Sequence, residues 1–102
     1  MLDNFHTIKL ANGNLYLDHA VYDTYFRGID NVVLLSKHPF IHIMPVYQKG
    51  AGGLLLKIRN ARGDRVVNAI EFFENNGVDV FEERVFPVVW DNVEAALVFN
   101  LH

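Results

Sequence analysis

Leu54 to Gly77, LLLKIRNARGDRVVNAIEFFENNG, is the stretch whose reading decides the fold. An apolar run with strand character, Leu54 to Arg59, leads into an arginine-rich turn. An amphipathic segment follows and stops at Asn76-Gly77, a helix-ending pair. The helix has two readings for its start. Asp64 can cap it directly, which places Val66, Ala69, Ile70 and Phe73 on one stripe. Alternatively, Val66-Val67 form a short strand and Asn68 is the cap. Arg62-Gly63-Asp64 is good turn chemistry, and its match to a cell-adhesion tripeptide is expected to be coincidental, since the N-terminus does not read as a secretory leader.

Downstream, Val85 to Trp90 reads as a strand, Asp91-Asn92 as a turn and Val93 to Leu101 as the return. That register puts Phe86, Val88 and Trp90 on a face with Val93, Ala95 and Leu97, although Val93, Leu97 and Leu101 also fit a helical period. Pro87 argues for an edge strand.

Upstream lies QKGAGG, residues 48–53, a flexible linker. Its lysine precedes the glycines and a strand follows, unlike a phosphate-binding loop, in which Gly-Lys-Ser/Thr opens a helix. Before it, Val32 to Leu35 read as a strand buried on both faces, and Phe40 to Val46 as its antiparallel return with Pro45 at an edge. At the N-terminal end, Asn12-Gly13 is a two-residue hairpin turn that sets Leu10 against Leu15 and Ile8 against Leu17, with Lys9 and Tyr16 on the opposite face. Continued strands would place His6 opposite His19, but Asp18 is better read as the cap of a helix carrying Val21, Tyr22, Tyr25 and Phe26 on one stripe, ended by Gly28.

The two halves align. With Gly13 set on Gly63, Ile8 falls on Ile58, Lys9 on Arg59, Leu17 on Val67, Asp18 on Asn68 and Tyr22 on Phe72. After a one-residue gap, Gly28-Ile29-Asp30 falls on Gly77-Val78-Asp79. The expected fold is therefore α+β: one small antiparallel β-rich domain over residues 1–102. It consists of two pseudo-symmetric strand-strand-helix-strand-strand halves, about 5–47 and 54–101, joined by the linker. Neither half is large enough to bury a core alone.

The repeated unit, GNLYLDHAVYDTYFRGID echoed by GDRVVNAIEFFENNGVD, resembles the AbrB and MraZ family of swapped-hairpin barrels, and the tandem form is more similar to MraZ. Two features depart from that pattern. Asp18 and Asn68 stand where a proline is usual, and the first helix is longer. The resemblance implies a DNA-binding regulator that reads the duplex from strands and loops. Carried over by position, its contact residues are Lys9, Arg59, Arg62 and Arg65. Read without the family, these four are solubilising charges partly paired with Asp64 and Glu71.

Composition sets the remaining bounds. Apolar residues make up 51% of the chain, which leans toward a homo-oligomer that hides part of its surface. A net charge of −3 gives no global field for nucleic acid, so any DNA contact has to come from a local cluster. The absence of cysteine excludes disulfides, thiolate metal sites and thiol catalysis. No metal or cofactor is expected: His38 and His42 would lie ~13 Å apart along a strand, too far to share an ion. No enzyme signature stands out either. Glu71 and Glu74 have no histidine to join them, and Ser36, Thr7 and Thr24 sit in no nucleophile context. MLDNFHTIKL does not read as a secretory leader, and no apolar run approaches the ~20 residues of a membrane helix. A cytoplasmic protein without a membrane partner is expected. The competing functional class is a scaffold or small-ligand module, with Tyr22, Tyr25, Phe72 and Trp90 as a candidate pocket lining.

Overall fold

The computed structural model describes residues 6–102. His6–Ala11 (β1) and Asn14–Leu17 (β2) form the expected hairpin, with Leu10 facing Leu15. Asn12 and Gly13 take φ of 53° and 77°, the double positive φ that a two-residue turn of this kind requires. Ile8, Leu10, Leu15 and Leu17 are buried. The chain leaves the sheet at Asp18, whose carboxylate accepts the Val21 N–H at 2.9 Å and caps α1 (His19–Tyr25). His19 therefore never comes opposite His6, which packs edge-on against Tyr25 instead.

Asn31–Lys37 (β3) and Phe40–Val46 (β4) pair without interruption from Asn31↔Val46 to Lys37↔Phe40. The expectation that β3 is buried on both faces fails. Val32 is buried, but Val33 and Leu35 are 45% and 41% exposed, because β3 is a barrel wall with one face to solvent. His42, paired with Leu35 and Val98, is buried on that outer face, and its Nδ1 has no partner among the described residues.

The single strand expected over Leu54 to Arg59 is two, Leu54–Leu55 (β5) and Lys57–Ile58 (β6), broken at buried Leu56. Arg65–Asn68 (β7) then precedes Ile70–Asn75 (α2), so the reading with a short strand before the helix holds. Ala69, not Asn68, is the N-cap, and it makes no side-chain bond. Its N–H donates to the Gly13 carbonyl at 2.9 Å, which docks α2 on the first hairpin.

Arg84–Asp91 (β8) and Ala96–Asn100 (β9) complete the chain, and β9 settles its segment as strand. The turn between them is longer than Asp91-Asn92. Asp91 accepts the N–H groups of Val93 and Glu94, and Ala95 adopts φ 52°. Trp90 therefore faces Leu97, while Val93 is 91% exposed in the loop.

Among the described residues nine strands run antiparallel in the order β5-β3-β4-β9-β8-β1-β2-β7-β6. The outermost strands, β5 and β6, are separated only by Leu56, whose N–H donates to the Asp30 carbonyl at 2.7 Å. Chain continuity thus brings the two ends of the sheet together, and the result is a nearly closed barrel with two short helices. Phe26, Phe73, Phe99, Ile41, Ile43 and Leu97 fill its interior. The proline-bearing strands are not at the edges. β4 lies between β3 and β9, and β8 between β9 and β1. Both prolines are tolerated because each sits where its strand is paired on one side only, Pro45 with Val32 and Pro87 with Thr7. Among the described residues, no helix is long and apolar enough to cross a membrane.

Candidate nucleic-acid interface

Cross-strand partners share a face of the sheet. On the outer wall one row runs through Lys9, Tyr16, Val66 and Lys57, on β1, β2, β7 and β6 in turn. At ~4.8 Å per strand the row spans ~14 Å. Arg59 leaves β6 beside it and lays its guanidinium 4.9 Å from the Tyr16 ring centroid. The result is a half-buried aromatic flanked by cations from β1 and from the β6 segment, which are far apart in sequence.

Two shallow grooves meet at this row. One, of about 270 Å³, is lined by Lys9, Tyr16, Asp18, Arg59, Asp64 and Arg65. The other, of about 590 Å³, is lined by Asn14, Tyr16, Lys57, Arg59, Val66 and Asn68. Three of the four sequence-derived candidates, Lys9, Arg59 and Arg65, therefore line one groove.

Arg62 and Arg65 are already engaged. Asp64, 6% exposed, accepts the Asn60 amide at 2.8 Å, the His19 backbone N–H at 2.7 Å and the Arg62 guanidinium at 3.1 Å, with His19 Nδ1 at 3.2 Å. The Asn60 amide, followed by the His19 N–H, the His19 ring and Arg62, holds the Asp64 carboxyl well below the usual carboxylate range, against the opposing effect of burial. Asp64 thus ties the β6–β7 turn to the first turn of α1. Arg65 donates to the Gly63 carbonyl at 2.8 Å and lies 3.8 Å over the Tyr22 ring, so it braces the helix. Arg62, its side chain 74% exposed, lines neither groove and holds Asp64 through one guanidinium nitrogen. Lys9 pairs with Glu83 at 3.1 Å, but both are exposed, and such a pair holds weakly.

Lys57 is the residue that sequence reasoning missed. Its signal was the i, i+2 spacing to Arg59 in an extended segment. What the sequence withheld was the pairing of β2 with β7, which carries Lys57 to Tyr16. The aromatic residues proposed as a pocket are dispersed. Tyr25 stacks on Trp90 at 5.7 Å, Tyr22 lies under Arg65, and Phe72 packs on Phe73. Family models, curated proteins and solved structures return no match to this chain.

Proposed function

We propose that this chain is a non-catalytic, homo-oligomeric DNA-binding regulator of the AbrB/MraZ kind, built from two pseudo-equivalent halves. The strand order supports the duplication. Exchanging β1 with the β5–β6 segment, β2 with β7, β3 with β8 and β4 with β9 maps the ring of neighbours onto itself. The pair Tyr16↔Val66 is also the aligned pair when Gly13 is set on Gly63, as an axis through β2 and β7 requires. The second half departs from strict equivalence by four extra residues, 80–83, before β8.

One observation carries the DNA reading: Lys9, Lys57 and Arg59 converge around Tyr16 in a row about as wide as the ~12 Å major groove. A local cluster of this sort offsets the net charge of −3 over the distance that matters, because salt screens charges beyond ~8–10 Å. Fluorescence anisotropy with short duplexes across a salt series tests it. Three phosphate contacts per subunit give a logarithmic salt slope of about −2.7, and Lys57→Ala with Arg59→Ala shallows it by ~1.8. No binding at low salt, or a slope unmoved by that double variant, leaves only the scaffold class.

A further inference from the structure

The sheet has an open edge that the barrel does not use. β3 pairs with β5 only at Asn31↔Leu55 and Val32↔Leu54, so from Val33 to Lys37 no described strand lies on that side. The Asp30 carbonyl accepts from Leu56 on the β5 side, which fixes the alternation. The backbone N–H and C=O groups of Leu34 and Ser36 point outward from the edge, and those of Val33, Leu35 and Lys37 point to β4. A groove of about 700 Å³ beside Val32–Leu34, bounded by Leu54, Ile70 and Phe72, leaves the edge accessible.

Edges are usually blunted by proline, bulges or free charge. Here β3 has no proline and an unbroken register with β4. Its one charge, Lys37, is ion-paired with Glu94. Val33 and Leu35 stand exposed along the edge.

We propose that this edge is a two-fold interface with a second copy of the chain, formed by antiparallel addition of β3 to β3. The five open residues are their own complement. Centred on Leu35, Leu34 meets Ser36 of the partner subunit in a hydrogen-bonded pair, and Ser36 meets the partner subunit's Leu34. That makes four backbone hydrogen bonds, with all four outward-pointing groups on each strand satisfied. Leu35 then lies against the partner's Leu35 on the outer face, at the axis. Val33 faces the partner's Lys37, so no like charges oppose one another. An unrelated extended peptide would satisfy the same backbone groups, but self-pairing also covers Leu35 with its own equivalent and keeps the two Lys37 side chains apart. The interface is at the small end of the usual range, so the dimer forms with a dissociation constant of about 1–100 µM.

This inference deepens the homo-oligomeric part of the proposed function, and its test contains no DNA, so failure here leaves the DNA reading standing. Sedimentation equilibrium at 1–300 µM (roughly, to bracket that constant) should show monomer–dimer exchange. Ser36→Pro, which removes an outward N–H at an exposed edge, should weaken it at least tenfold. Because the chain has no cysteine, a single introduced one reads the register directly. Leu35→Cys should form a disulfide-linked dimer on mild oxidation, whereas Val33→Cys should not, its two copies lying ~13 Å apart along the ladder. A monomer throughout the range, equal cross-linking of the two cysteine variants, or a Ser36→Pro variant that associates like wild type would each overturn the proposal.

Discussion

Replacing Gly13 by alanine probes how the first hairpin holds the second half of the barrel. Gly13 adopts φ +77°, and a Cβ there would lie 2.6 Å from Ile70 Cβ and 2.8 Å from Ile70 Cα. The left-handed conformation alone costs about 1–2 kcal/mol for a residue with a side chain. Displacing α2 adds an overpacking cost of about 1–3 kcal/mol, for a total near 2–5 kcal/mol. Gly63, the position aligned with it in the proposed repeat, has φ +93° but meets nothing closer than Arg65 Nη1 at 3.7 Å and His19 Cβ at 3.8 Å. Gly63→Ala should therefore lose only the conformational part, about 1–2 kcal/mol. Urea unfolding of the two variants measures the difference directly. In a domain of this size, Gly13→Ala should melt at least ~4 °C below Gly63→Ala. Adding Ile70→Ala should not rescue it, because the offending Cα and Cβ remain. Equal losses for the two glycines, or rescue by Ile70→Ala, would refute the close approach of α2 to the hairpin.

The remaining expectations concern stability. Asp64's carboxyl is depressed in the folded state, so its contribution is fully present above the unfolded value of ~3.9 and is lost as pH falls toward the folded value. Urea stability of the wild type should drop between about pH 5 and pH 2 more steeply than that of Asp64→Asn, and identical pH profiles would contradict the hydrogen-bonded carboxylate. Phe73, fully buried, should cost about 3–5 kcal/mol as alanine, read as a lower urea midpoint at unchanged slope. Asp18→Ala removes the α1 cap and should cost about 1 kcal/mol, with Asp18→Asn recovering most of it.

Local chemistry made much of the fold legible in the sequence. Asn12-Gly13, the Asp18 cap and the stop near Gly77 each act over a few residues, and each lies where the chain placed it. Non-local pairing was hidden. Val32 to Leu35 look doubly buried in sequence, yet only the barrel's closure decides which side of β3 meets solvent. Pro45 and Pro87 mark one-sided pairing, which sequence cannot tell from an edge strand. The Asp91 turn was misjudged because a side chain capping two N–H groups permits a longer loop than Asp-Asn alone suggests. In the candidate site, the arginines were visible as a cluster, but their division of labour depends on Asp64, Tyr22 and Tyr16, which come from elsewhere in the chain.

The claim that the outer row around Tyr16 is the DNA-facing surface is tested most directly by mapping backbone amide shifts while a short duplex is titrated into labelled protein at low salt. Perturbations should concentrate on β1, β2, β6 and β7, at Lys9, Tyr16, Lys57, Arg59 and Val66, and fade as salt is raised. Perturbations centred on β3, β4 and β9 instead, or an unchanged spectrum at saturating duplex, would contradict it.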